Sequence, residues 1–483
     1  MDDLRGLYSF LGDALPHVWS HTLLFLHILS ALTVPSVLLR RAGRPSSALT
    51  WLLALFSLPG LGVVSWWAFG RTRMDRKLRS QVTRRRGFPS LRTRHTNGHP
   101  AAQSHSPTFA GWLPERALEN HANVSSTNHV RLLTSGEIAF GRMEQAILEA
   151  KTSIHLLFYL FELDETGTRI VNLLLDRARA GLVVRVLIDG FGSSKTVRKL
   201  QAILSPVGIQ VAVFLPSRFS PLSAPRFNFI NHRKIVIIDE RRAFCGGMNI
   251  GDEYRTLWDD LMLEIEGAAV LSLHHVLLED WYYATQQFVS DPEPILARTH
   301  AGSTEVAVVS SGPDTEPWIH DAYFMAITRA EQRVYMVTPY FIPTPSLLMA
   351  LRTASGRGVD VRLMVPAHSD VDFVKWASRS FYLSLVEAGV RIFEYDHVMV
   401  HAKALLLDEE LIAVGTANMD NRSFRLNFEV SCFVRDRQLN VELLSWIEQR
   451  MNNAQEITAA YLDQKGLGRR MIESAAHLLS PLL

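Results

Sequence analysis

The sequence predicts an α/β protein made of two tandem copies of one unit with mixed sheets, preceded by two transmembrane helices. Three observations predict it. Short apolar runs alternate with stretches of helical period over most of the chain, as in α/β domains. One pattern, NHRKIVIIDERRAFCGGMN (Asn231 to Asn249), returns without a gap as VHAKALLLDEELIAVGTAN (Val400 to Asn418). Two uncharged apolar stretches precede both copies, each near the roughly 20 residues that span a bilayer. This divides the chain into a membrane anchor over 1–75, a basic and then polar linker over 76–128, and α/β domains over 129–300 and 301–483.

The anchor comes first. Trp19 to Leu39 is one apolar stretch. Ala48 to Phe69 is the second, with Trp51, Trp66 and Trp67 near its ends, where interfacial tryptophans collect. A cleaved signal peptide wants a positive start, but Asp2, Asp3 and Asp13 outnumber Arg5, and a signal leaves the second stretch unexplained. Pro59-Gly60 inside the second stretch allows a re-entrant hairpin in place of a full crossing.

After Gly70 a basic run carries Arg71, Arg73, Arg76, Lys77, Arg79, Arg84, Arg85, Arg86, Arg92 and Arg94 against Asp75 alone. Beside a membrane such a run favours the cytoplasmic face and anionic headgroups; the rival reading is a solvated linker. Arg40, Arg41 and Arg44 in the connecting loop pull against that topology, but the two loops together still favour a cytoplasmic catalytic part. From Pro89 to about Asn128 the chain is polar and rich in Ser, Asn, Pro and His, and reads as a linker with solvated histidines at His95, His99 and His105.

In the first copy, Ile154 to Tyr159, Val183 to Ile188 and Gln210 to Phe214 read as strands. Thr166 to Ala180 reads as a helix with Ile170, Leu173, Leu174 and Ala178 on one face. In the second copy, Ala326-Ile327 with Ala330 repeats Ala146-Ile147 with Ala150, and RGVDVRLMV (Arg357 to Val365) repeats AGLVVRVLI (Ala180 to Ile188). The formal net charge of +2 gives no global bias toward polyanions. Cys245 and Cys432 are too few for a disulfide framework and read as core thiols.

In a strand, side chains two apart point the same way. His232 and Lys234 therefore share a face, as do His401 and Lys403. Asp239 and Asp408, seven positions after their histidines, fall on the opposite face and suit structural hydrogen bonds better than direct chemistry. A lysine at the edge of a buried strand needs a partner, and a bound anion supplies one. With lysine this scarce, one random H-x-K-x4-D is expected about 0.01–0.02 times in such a chain. Two, each followed at one spacing by Gly and Asn (Gly246 and Asn249, Gly415 and Asn418), are not accidental. Asp260 lies as far after His232 as Glu429 lies after His401, so each is a candidate to fix an imidazole's tautomer. Neutral histidine can attack phosphorus and protonated histidine can donate to a leaving alcohol, while lysine and asparagine bind non-bridging oxygens. The set suits a phosphate diester. No carboxylate cluster with metal spacing is present in the sequence, and neither metal nor cofactor is expected.

These residues resemble the phospholipase D superfamily, and within it bacterial cardiolipin synthases. The likeness extends to FGRTR at the anchor's exit, GGMNIGDEY, VTPYFIP (Val337 to Pro343) and NMDNRSFRLNFE (Asn418 to Glu429). It implies two tandem phospholipase D-like α/β sandwich domains. It implies a catalytic set of His232, Lys234, Asp239, His401, Lys403 and Asp408, with Asn249 and Asn418 binding phosphate and Asp260 and Glu429 orienting the histidines. It implies a reversible two-step transfer through a phosphohistidine, with His232 as nucleophile and His401 as acid/base. Two phosphatidylglycerols give cardiolipin and glycerol in a bacterial inner or plasma membrane, with catalytic domains in the cytoplasm. Relatives sharing these motifs use other donors or acceptors, such as phosphatidylethanolamine, and water competes for the same intermediate.

FLPSRFSPLSAPRFNF (Phe214 to Phe229) interleaves Phe214, Phe219 and Phe227 with Arg218 and Arg226 just before the first motif, as a lipid-contacting loop or an ordinary connector. The tail from Ile457 to Leu483 reads as one or two amphipathic helices, for membrane contact or packing. A nuclease would want a basic, aromatic groove and gives no reason for membrane segments, so no nucleic-acid partner is expected. A non-catalytic scaffold predicts loss of His or Lys from one motif, and neither is lost. The sequence does not give an oligomeric state.

Overall fold

The computed structural model describes residues 21–39, 45–70, 109, 111–114, 122–215, 229–289, 302–369, 371–464 and 466–479. The basic run of 71–94, the three linker histidines and nearly all of the loop before the first motif lie outside them. The chain divides into a small amino-terminal unit and a large unit holding both repeats.

Among its described residues the small unit has three helices: α1 (His21–Leu39), α2 (Pro45–Ser57) and α3 (Leu61–Phe69). Among the described residues only α1 is long and apolar enough to cross a bilayer. The second expected spanning helix is corrected to two short ones. Proline has no N–H to give to the carbonyl four residues back, and its ring crowds that carbonyl. The helix accordingly stops before Pro59 and restarts after Gly60.

Among the described residues, the large unit is built on one mixed sheet of 15 strands. β1 (Ala122–Leu133), β2 (Ser153–Phe158), β3 (Val183–Asp189), β4 (Gln210–Phe214), β5 (Ile235–Ile238), β6 (Arg242–Gly246) and β7 (Met262–Gly267) form the first half. β8 (Thr304–Ser311), β9 (Arg333–Val337), β11 (Asp360–Pro366), β12 (Arg391–Tyr395), β13 (Ala404–Leu407), β14 (Leu411–Gly415) and β16 (Glu429–Arg435) form the second. β10 (Phe341–Ile342) and β15 (Met419–Asp420) make a separate parallel pair, and β17 (Gln455–Ile457) adds one edge strand to the second half. Outward from the middle, the order is β1, β7, β6, β5, β2, β3, β4 on one side and β8, β16, β14, β13, β9, β11, β12 on the other. The halves mirror each other in order, and they join where β1 pairs antiparallel with β8. The two repeats share one sheet. The segment read as linker also contributes: β1 begins at Ala122, and Phe109 and Leu113 are buried in the second half's core.

Local chemistry sets the elements close to where the pattern placed them. Asp164 caps the helix Glu165–Arg179 by accepting from Gly167 N at 2.9 Å, so the helix starts one residue before the predicted Thr166. Ile170 and Leu174 are fully buried on its inner face. Ile154, Leu156 and Phe158 of β2 face that same core, and the intervening His155 points the other way, to His274 of the helix Ala269–Thr285. The tail forms two helices, Ala459–Asp463 and Leu467–Leu479, and the second packs Ala476 into the core and His477 against Phe381.

Candidate active site

Each motif straddles the start of a buried strand. Lys234 and Lys403 immediately precede β5 and β13, whose residues are all buried. Asp239 and Asp408 immediately follow those strands, in left-handed turns at φ 52° and 46° that aspartate tolerates. Both carboxylates are occupied by backbone. Asp239 accepts from the amides of Lys151, Thr152 and Ser153 at 2.7–2.9 Å. Asp408 accepts from those of Glu331, Gln332 and Arg333. They tie the motif strands to the starts of β2 and β9, at the strand end away from the histidines.

The histidines meet the opposite repeat. His232 N donates to Phe428 O at 2.9 Å, and Phe428 N to Ile230 O at 2.9 Å. The matching pair is His401 N to Asp259 O at 2.7 Å and Asp259 N to Met399 O at 2.9 Å. These backbone bonds bring each imidazole to the carboxylate of the other half. His232 Nδ1 lies 3.1 Å from Glu429 Oε1, and His401 Nδ1 lies 2.7 Å from Asp260 Oδ2. A carboxylate on Nδ1 fixes the proton there and leaves Nε2 for chemistry. The sequence placed a carboxylate at matched spacing in each half; the structure exchanges them.

The two dyads differ. Glu429 also accepts from Thr416 Oγ1 and, at 3.1 Å, from Asn427 Nδ2. Burial pushes its pKa up, but His232, Lys234 and Thr416 outweigh that and hold it below the ordinary range. Asp260 accepts additionally from its neighbour Leu261 N at 2.7 Å, and burial pushes it up to about 6 against the pull of Lys403. Burial, then Lys234, lowers the pKa of His232.

Both lysines are buried. Lys234 Nζ donates to His232 O at 2.7 Å and stands 5.5 Å from the centre of the Tyr159 ring. Burial pushes its pKa well down. Lys403 Nζ donates to His401 O and lies 3.0 Å from His401 Nε2. Tyr159 stands edge-on to His232, while Tyr254 and Trp258 pack against His401. The two asparagines also differ. Asn249 donates to Tyr254 Oη at 2.7 Å and accepts from Leu160 N, whereas the buried Oδ1 of Asn418 has no hydrogen-bond partner among the described residues.

Four residues had no sequence reading. Asn231 and Arg233 alternate with His232 and Lys234 and face the other way. Asp280, on the helix Ala269–Thr285, accepts from Asn231 Nδ2 at 2.8 Å and Arg233 Nη1 at 2.7 Å. Arg233 also donates to Glu429 O and Ser311 O. Asp189 at the end of β3 takes Asn231 N at 2.8 Å. The available signal was Arg233, a charge at the threshold of a buried strand, where the second copy has Ala402.

A family model described as "Cardiolipin synthase, PLD-like domain" matches residues 143–281 and 323–451. "Cardiolipin synthase 2" of Bacillus cereus is 35% identical over 479 residues, 94% of this chain and 90% of that protein. The chain belongs to the cardiolipin synthase family. "Major cardiolipin synthase ClsA" of Bacillus subtilis, another member, is 34% identical over 94% of this chain and 98% of its own. The crystal structure of a phosphatidylserine synthase from Haemophilus influenzae superposes with a TM-score of 0.57 at 16% identity, covering 78% of this chain and all of that one. At that identity it shows the fold alone. Among the described residues of this family member, no group of three or more His, Cys, Asp or Glu is arranged to hold a metal.

Proposed function

We propose that this chain is a cardiolipin synthase that transfers a phosphatidyl group between two phosphatidylglycerol molecules through a phosphohistidine on His232. The observation that carries the two-histidine mechanism is the exchange of carboxylates, which makes one site from both halves. His232 suits the nucleophile's role. Its Nδ1 faces a carboxylate held ionised, and burial with Lys234 favours the neutral ring, so Nε2 keeps its lone pair.

His232 Nε2 attacks phosphorus, the bond from phosphorus to the glycerol oxygen breaks, and protonated His401 gives that oxygen its proton. Glycerol leaves. His401, now neutral, takes a proton from the hydroxyl of the second phosphatidylglycerol. That oxygen attacks the phosphohistidine, and His232 is released unchanged. Lys234, Lys403 and the side chains of Asn249 and Asn418 bind the non-bridging oxygens as charge develops. Asp239 and Asp408 hold the strands that carry the motifs. Every step is reversible, so glycerol can return cardiolipin to phosphatidylglycerol.

The apolar segments and basic run support a seat in a bacterial inner or plasma membrane with the repeats on the cytoplasmic face. The test is mass spectrometry of products from purified full-length protein given phosphatidylglycerol in vesicles. Cardiolipin and glycerol should appear in about equal amounts, one per P–O bond exchanged. Phosphatidic acid as the main product, with no cardiolipin even when phosphatidylethanolamine is added, overturns the reading.

A further inference from the structure

The amino-terminal unit holds a feature that the transfer chemistry does not use. α2 and α3 fold back on each other. The rings of Trp51 and Trp66 lie 5.2 Å apart at 74°, where a continuous helix would separate these residues by about 22 Å. A Cβ on Gly62 would sit 2.4 Å from Ala54 O, so glycine is what lets the arms touch. Moving back along α2 from Ala54 to Trp51 means moving forward along α3 from Gly62 to Trp66, the register of an antiparallel pair.

α1 lies alongside. Ser30 Oγ donates to Leu55 O at 2.8 Å. That is the carbonyl that Pro59, four residues on, cannot serve. Trp66 Nε1 donates to Ser36 Oγ at 3.2 Å, and a Cβ on Gly60 would meet the Leu26 side chain at 3.5 Å. Three further backbone bonds close the turn: Leu58 N to Ala54 O, Gly62 N to Leu58 O and Val64 N to Gly60 O. Irregular backbone survives at membrane depth only where its polar groups are satisfied in this way.

The dimensions decide between crossing and returning. α2 has 13 residues and α3 has 9, about 20 and 14 Å against a hydrocarbon core of about 30 Å. The turn at Gly60 lies level with Leu26 of α1, about 20 Å from the α1 end at Leu39.

We propose that α2–α3 is a re-entrant hairpin, and that the chain crosses the membrane once, through α1. Leu39, Pro45 and Phe69 then sit at one face. Arg40, Arg41 and Arg44 share that face with Arg71, Arg73, Arg76, Lys77 and Arg79, which two full crossings would put on opposite faces. The excess of basic residues assigns the face to the cytoplasm and makes it a surface for anionic phospholipid headgroups. The acidic start, with Asp2, Asp3 and Asp13, lies outside. The inference stands whether or not the enzyme makes cardiolipin.

The test uses full-length protein in bacterial spheroplasts, with Ser9→Cys, Ser46→Cys and Ser80→Cys made singly. Native Cys245 and Cys432 are buried and stay silent to a membrane-impermeant maleimide. The hairpin predicts that Ser46→Cys and Ser80→Cys are both protected until the membrane is permeabilised, while Ser9→Cys reacts in intact spheroplasts. Labelling of Ser46→Cys with protection of Ser80→Cys means two crossings and overturns it. A protease site inserted after Arg44 reads the same point independently. Cleavage only after lysis supports the hairpin, and cleavage from outside overturns it.

Discussion

Glu429 lies in the second repeat and His232 in the first, yet the carboxylate stands 3.1 Å from the ring nitrogen of that histidine. The reciprocal contact joins Asp260 to His401. The site is therefore a property of the whole chain, and its energetics should show it.

Replacing His232 or His401 by alanine should each lower turnover by at least about 10²–10⁴-fold, the usual worth of one acid–base group. The double variant should be little worse than either single one, because groups acting as a unit are not additive. Steady-state kinetics on phosphatidylglycerol checks this. Losses that multiply would mean two independent sites.

The lysines should resist exchange. Lys234 and Lys403 are fully buried against backbone carbonyls, and a planar guanidinium is too broad for either place. Lys234→Arg and Lys403→Arg should fold, by circular dichroism and melting, and lose most activity. Near-normal rates in either variant would reduce that lysine to a generic positive charge.

The Asp260–His401 dyad should set the acid limb of the pH profile. Burial raises the Asp260 carboxyl in the folded protein to about 6, above the ordinary value of about 3.9. The folded state thus takes up this proton before the unfolded chain does, and this group makes stability fall as pH rises through that window. Activity runs the other way: as pH drops below about 6, His401 loses its anionic partner. kcat/KM should fall there with an apparent value belonging to the pair. Asp260→Asn should lower the plateau and abolish that limb; an unchanged limb would assign it elsewhere.

Asp280 touches no reacting atom but holds Asn231 and Arg233 on either side of His232. Asp280→Ala leaves Arg233 charged and buried without its partner, which typically costs about 3–5 kcal/mol. A denaturant melt should show that loss. Asp280→Asn, which keeps an acceptor for Asn231, should recover part of it and more of kcat than the alanine does.

The paired motifs were legible because strand periodicity converts spacing into shared faces, and a repeat supplies its own control. The exchange of Asp260 and Glu429 was not, since equal spacing in two copies is silent on which copy meets which. Asp280 was invisible for another reason: it lies 49 positions from Asn231 on a helix whose inner face is mostly apolar. Hydropathy sums a window without asking whether its helix is continuous, so the second apolar stretch reads as one length; the structure divides it into two short helices at Pro59-Gly60, where the sequence already allowed a hairpin. Phe109 was lost inside a polar stretch, where one aromatic gives no period.

The mirrored strand order has an evolutionary consequence. A gene encoding one repeat would yield a histidine with no carboxylate of its own, active only when two identical chains met along the β1–β8 seam. Duplication and fusion of such a gene would preserve that seam as the middle of one sheet. The copies would then be released from identity, since each half need only serve one role. Arg233 against Ala402, Glu429 against Asp260 and Asn427 against Trp258 are divergences that a self-paired ancestor could not have made on one side alone.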